Sequence, residues 1–222
     1  MELSSLEKQL LQSVDADSRN DEEELRRYQK EALKQLRGAF RYMQEKYPDT
    51  EIRWRLFDPL TRMTERGVLI CSLPDHTSFH KINILLRKNE YVYSDTLYGD
   101  LIRDRYDEAV CACLKEFIPN IRAYTVFYTS CGSEISSRSS LSEIISHVPL
   151  LVRHTDLFVC PPAGITAEAA DALRKEGFFG AYSIYSTDDR ELFEQGSYEQ
   201  LRASSIRSNF NLFEGPKEGT AS

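Results

Sequence analysis

An α+β fold is predicted by three features of the sequence. A helical pattern from about Glu24 to Tyr47 comes first, three strand patterns follow between Glu51 and Arg87, and strand and helix signals alternate from Arg122 to Tyr185. The expected architecture is a helix packed on an antiparallel β-meander plus a second helix. A βαβαβ half with a mixed or partly parallel sheet follows. In segments, residues 1–20 read as a flexible arm, 21–119 as an α-β-β-β-α unit, 120–186 as a βαβαβ unit that could share its domain, and 187–222 as a weakly structured tail.

A short helix is conceivable around Leu6 to Val14, but the polar run Asp15-Ala16-Asp17-Ser18-Arg19-Asn20-Asp21 reads as a hinge. Asn20 or Asp21 then caps the long helix, with Glu24 completing a capping box if Asp21 is the cap. Its apolar stripe is Leu25, Tyr28, Ala32, Leu36, Ala39, Phe40, Met43 and Tyr47, at three- and four-residue steps, and Pro48 ends it. A second stripe on the same helix is basic: Arg26, Lys30, Lys34, Arg37 and Arg41 fall within roughly 80° of arc, away from the apolar centre.

Strands are expected at Glu51 to Phe57, Gly67 to Leu73 and Phe79 to Arg87, broken by Asp58-Pro59 and Pro74-Asp75. Ile52, Trp54 and Leu56 alternate with Arg53 and Arg55, as in a sheet with one buried face. His80, Ile82, Ile84 and Leu86 share one face of the third strand. A short strand at Tyr91 to Tyr93 leads to a helix that starts at Asp95 or Thr96, with its stripe at Ile102, Tyr106, Ala109, Val110, Cys113, Leu114 and Phe117. Pro119 closes that unit. Beyond it come a strand at Arg122 to Thr129, a helix at Leu141 to His147, a strand near Asp156 to Cys160, a helix at Ala167 to Glu176 and a strand at Gly180 to Tyr185. Ser140 with Glu143 forms a capping box, Thr166 caps the next helix and Gly177 ends it.

The chemistry is sparse. A net charge of -7 argues against general polyanion binding, so nucleic acid is not expected as a partner. Five cysteines without framework spacing read as mostly reduced, and with no apolar run long enough to span a bilayer a cytoplasmic location is expected. Cys131 lies after a strand in Cys-Gly-Ser-Glu-Ile-Ser-Ser-Arg. A cysteine phosphatase loop needs five residues between cysteine and arginine, whereas six separate Cys131 from Arg138, and Glu134 sets a carboxylate where amides should face an anion. Cys131 as another nucleophile would need His147 or His154 as base and Asp156 as its orienter. Asp95, Asp100, Asp104, Asp107 and Glu108 form an acidic group that capping and solvation explain, with paired-carboxylate catalysis as the alternative. His76 and His80, if both lay in one strand, would stand roughly 13 Å apart and could not chelate one ion, so no metal is expected, and without a G-x-G-x-x-G or G-x-x-x-x-G-K-S/T phosphate loop no cofactor is expected either. The resulting expectation is a non-enzymatic protein-binding or regulatory module whose partner, another protein or a second copy, meets Arg26, Lys30, Lys34, Arg37 and Arg41. The alternative is a hydrolase-like enzyme using Cys131 or the acidic site between Asp95 and Asp107.

Overall fold

The computed structural model describes residues 2–15, 21–74, 78–147 and 153–212, without the side chain of Glu24. Its helices and two four-stranded sheets, one antiparallel and one mixed, are of the α+β class. The chain divides into two compact units, Met1–Tyr98 with Ser130–Ser137, and Gly99–Thr129 with Arg138–Ser222.

In the first unit, α1 (Ser5–Gln12) is set by a capping box between Ser4 and Glu7 and buries Leu10 and Leu11. Part of the expected flexible arm is therefore a packed helix; Ala16 to Asn20 lie outside the described residues. The long helix also starts later than its periodicity implies. Asp21 caps only a 3-10 turn at Glu22–Glu24, Leu25 and Arg26 are extended, and α2 runs over Arg27–Lys46. The Arg26 amide donates to Gln29 Oε1 at 2.8 Å, which satisfies one of the free donors at the helix start.

Strands β1 (Arg53–Asp58), β2 (Gly67–Ser72), β3 (His80–Arg87) and β4 (Glu90–Asp95) form the antiparallel meander in chain order. Alternation decides their faces: His80, Ile82 and Ile84 are buried while Lys81 is exposed. Together with Leu33, Leu36, Ala39 and Met43 of α2 they build this unit's core, each large apolar side chain contributing about 1.5–3 kcal/mol by burial. Tyr28, placed in the apolar stripe by spacing, is instead exposed and donates its phenol proton to Asp15. A two-residue turn joins β3 to β4 with both central residues left-handed, Lys88 at φ 50° and Asn89 at φ 66°.

The second unit holds most of α3 (Leu97–Leu114), followed by β5 (Ile121–Phe127), α4 (Leu141–Ser146), β6 (Arg153–Val159), α5 (Ala167–Lys175) and β7 (Gly180–Ser186). Strand β6 pairs antiparallel with β5 and parallel with β7, so α5 is the crossover that a parallel pair requires. The stretch read as a weak tail is structured as far as Leu212: α6 (Arg190–Gln195), α7 (Tyr198–Ser204) and β8 (Ile206–Leu212), which completes the sheet beside β7. Phe193 of α6 and Leu201 of α7 close over Phe158 and Tyr185, an apolar requirement of the sheet that local helix signals do not reveal. The contact division also falls elsewhere than the expected boundary near Pro119. From Gly99 onward α3 belongs with the second sheet, where Arg103 Nε donates to Thr125 O at 2.8 Å.

Candidate binding cleft

The basic stripe of α2 borders a cleft of about 930 Å³ in the first unit. Lys30, Lys34, Arg37 and Arg41 line it from the helix, Tyr91 and Tyr93 from β4, with Tyr42 and Ser133 beside them. Gly38 permits this approach, because a Cβ there would overlap the Tyr93 hydroxyl. The phenol of Tyr93 donates to Gln35 O at 3.3 Å, and that of Tyr91 donates to Glu31 Oε1 at 2.6 Å. Burial, then the Glu31 hydrogen bond, pushes the Tyr91 phenol up to about 12. Tyr42 stacks on Tyr93 with ring centroids 5.8 Å apart, so the cleft has an aromatic floor.

The five basic residues do not contribute equally. Arg26 lies 3.9 Å from Asp15 and is absent from the cleft lining. Arg37 is held by Glu7 at 2.6 Å and Glu22 at 3.0 Å. Lys30 donates to Glu23 O at 3.3 Å, and Lys34 sits 4.0 Å from Glu31 and 5.5 Å from the Tyr91 ring centre. Arg41 stands beside Tyr93. Glu22, Glu31, Glu45 and Glu90 also line the cleft, which is therefore balanced in formal charge; its cations are concentrated along the helix wall.

Below the cleft lies a buried ion pair that sequence reasoning missed. Lys46 Nζ is 2.7 Å from Asp95 Oδ2, with both side chains almost wholly buried. Tyr42 donates to the same oxygen at 2.7 Å, while Tyr47 at 2.9 Å and the Tyr98 amide at 3.1 Å donate to the other. Three rings, those of Tyr42, Tyr47 and Tyr98, surround the Lys46 ammonium at 5.3 to 5.8 Å. Burial and then the Asp95 charge push the Tyr42 and Tyr47 phenols far up, so both remain donors. Lys46 also donates to Cys131 O at 3.0 Å, and the Asp95 and Cys131 backbones exchange two hydrogen bonds of 2.9 Å. The cluster ties the end of α2, the end of β4 and the 130–137 segment together.

Residues singled out for chemistry are occupied in other ways. The Cys131 thiol is buried and pushed up to about 11, chiefly by burial and against the pull of Lys46, which leaves little thiolate at neutral pH. Asp95 is the acceptor of the ion pair. Asp100 binds Arg103, Asp104 is exposed, and Asp107 accepts from Thr125 Oγ1 at 2.5 Å and Thr125 N at 3.2 Å. His147 Nδ1 lies 2.9 Å from Glu143 O. His154 and Asp156 do meet, at 2.9 Å, on one face of the second sheet, together with Ser183. In a catalytic triad the imidazole contacts base-orienting carboxylate and nucleophile through different nitrogens; here Nε2 faces both, and Ser183 is fully buried. Tyr198 and Asn209 complete this network by binding Asp156 and Ser183, each at 2.7 Å. His76 lies outside the described residues, and among those described no three histidine, cysteine or acidic side chains are grouped to hold a metal. All five cysteines are free, and no described helix is long and apolar enough to cross a membrane. No family model matches the chain, nor does any curated protein or solved structure.

Proposed function

We propose that the protein is a non-catalytic binding module that docks an acidic segment of another protein in the cleft beside α2. The observation that carries this reading is the pairing of a cationic wall, Lys30, Lys34 and Arg41, with the tyrosine floor of Tyr42, Tyr91 and Tyr93. Tyrosine and arginine are the side chains that dominate protein interfaces, because each brings a large rigid contact area together with a polar tip. Tyr91 and Tyr93 also bring to the basic stripe aromatic neighbours from a distant part of the sequence. That combination would suit single-stranded nucleic acid, but Glu22, Glu31, Glu45 and Glu90 would oppose a continuous run of phosphates. Carboxylates carried at intervals on a polypeptide can meet the cations and avoid the glutamates. Two of those glutamates are already engaged, Glu22 by Arg37 and Glu31 by Tyr91.

The test is a photo-crosslinking residue placed at position 34, with a control at the exposed Met63. Adducts specific to position 34, carrying acidic crosslinked peptides and suppressed by Arg41→Glu, are expected. Identical adducts at both positions, or adducts indifferent to Arg41→Glu, would overturn the proposal.

A further inference from the structure

Strand β4 is an edge strand, since the first sheet runs β1-β2-β3-β4. Two features fix which way its backbone points. The two-residue turn makes Glu90 and Arg87 the closing pair, and Thr96 N donates to Lys81 O at 3.1 Å on the same inner side. At the far end the Asp95 N–H and C=O point outward, to Cys131. Alternation along the strand therefore aims the N–H and C=O of Tyr91 and Tyr93 outward as well, away from β3. Among the described residues none pairs with these four groups. Cys131 is the first residue of a would-be fifth strand, antiparallel to β4, which stops after a single bridge.

We infer that β4 accepts an extended polypeptide segment as a fifth, antiparallel strand, and that this segment carries carboxylates two residues apart. The inference rests on the cleft being a protein-binding site. Unpaired donor and acceptor pairs spaced two residues apart are met by extended backbone and by little else. Side chains of an added strand that sit opposite Tyr91 and Tyr93 point to the same face as those tyrosines, toward α2. At the Tyr91 level that face presents Lys34, 5.5 Å from the ring, beside Glu31, whose carboxylate the Tyr91 hydroxyl already engages; near Tyr93 the cleft lining presents Arg41. An acid-x-acid pattern thus places one carboxylate at each cation, while Glu90, at the start of the strand on the cleft rim, alternates to the face opposite Tyr91 and Tyr93. A second copy fits worse. Pairing β4 with its own copy sets Tyr91 against Tyr93, which brings the Asn89 turn of that copy opposite Asp95, where Cys131 already sits.

The experiment titrates a short, end-blocked peptide of alternating valine and glutamate onto the 15N-labelled full chain. Saturable shifts and slowed hydrogen exchange at the Tyr91 and Tyr93 amides are expected, with affinity falling roughly tenfold in Lys34→Glu and in Arg41→Glu. Methylating the peptide amides at the glutamates, which face β4, should weaken binding by roughly fivefold or more; methylating those at the valines should not. Binding that shifts cleft residues, is insensitive to both methylation patterns and leaves the Tyr91 and Tyr93 amides exchanging freely would overturn strand addition, with the protein-binding reading intact. Absence of binding at millimolar peptide would overturn the inference too, and the crosslinking at position 34 then decides the broader reading separately.

Discussion

Replacing Lys46 by methionine keeps most of the side chain's volume and removes its charge, leaving the Asp95 carboxylate buried without its cation. Losing one member of a buried pair typically costs about 3–5 kcal/mol, because the remaining charge is left without a compensating partner away from water. Asp95 would retain three donors, the Tyr42 and Tyr47 hydroxyls and the Tyr98 amide, so the lower end, about 3 kcal/mol, is expected. Against a usual net stability of about 5–15 kcal/mol, that is a large fraction. Asp95→Asn should cost a similar amount, since an amide NH2 cannot accept from the donors on its side. The double variant Lys46→Met/Asp95→Asn removes both charges and should be less destabilised than the sum of the singles by about 1–3 kcal/mol. Urea denaturation followed by tryptophan fluorescence reads the relevant unit, because Trp54, the sole tryptophan, lies in β1 with its ring 4.6 Å from Phe40. A Lys46→Met cost below about 1 kcal/mol, or strictly additive singles, would refute the reasoning.

Asp107 gives a pH dependence in the second unit. Burial raises its carboxyl to about 6 from the ordinary 3.8, against the pull of the Thr125 hydrogen bonds. The folded chain therefore keeps a proton that the unfolded chain releases, and Asp107's contribution lowers stability as pH rises through that window, by up to about 3 kcal/mol. Asp107→Asn should flatten this part of the pH profile; an unchanged slope between pH 4 and 6 in urea titrations would show that the group is not buried as described. Gly67 opens β2 where a Cβ would run into the backbone nitrogen of Leu60, an obstacle that cannot swing aside. Gly67→Ala should therefore cost about 1–3 kcal/mol by the same fluorescence readout, whereas a neutral result would mean that the connection from β1 to β2 is laid differently.

The third strand of the meander is legible in the sequence because one face is buried: Ile82 and Ile84 flank Asn83 and follow Lys81 as a half-covered sheet requires. In β1, by contrast, the irregularity between Trp54 and Leu56 turns Leu56 outward and buries Phe57 in place of the expected Ile52, Trp54 and Leu56 face. The caps at Ser140 and Thr166 are legible because a side chain must satisfy the first free amides of a helix, and both do. Strand β8 carries a short alternation, Ile206, Phe210 and Leu212 against Arg207, Asn209 and Asn211, that the reading of residues 187–222 as a weak tail passes over; it is an edge strand whose residues are mostly exposed, and Leu212 is its buried end. The basic wall of the cleft follows from helical spacing alone. Two of the three floor tyrosines, Tyr91 and Tyr93, come from β4, far along the chain, and nothing local to them announces the helix they face. Lys46 is the hardest case, since a lysine in the last turn of a helix ordinarily reads as a solvated complement to the dipole. Its burial depends on an aspartate and three rings that only the tertiary fold assembles.

The edges of the first sheet are treated differently, and that contrast bears on function. Exposed strand edges invite pairing with other chains, and proteins commonly blunt them with charges, prolines or bulges. Edge strand β1 follows this practice: its register shifts between Trp54 and Leu56, with Arg55 at the irregularity and Arg53 just before it. Strand β4 does not. It pairs with β3 without a register break over Glu90 to Asp95, carries no proline and no basic residue, and alternates Tyr91, Val92 and Tyr93 where β1 places arginines. Among the described residues, only its Asp95 end is covered, by the single bridge to Cys131. A regular, aromatic edge left open beside a cationic helix would be an aggregation hazard in a chain that gained nothing from it. The same geometry is the one a docking strand requires, and the bulged β1 edge shows that this fold accommodates a blunted edge.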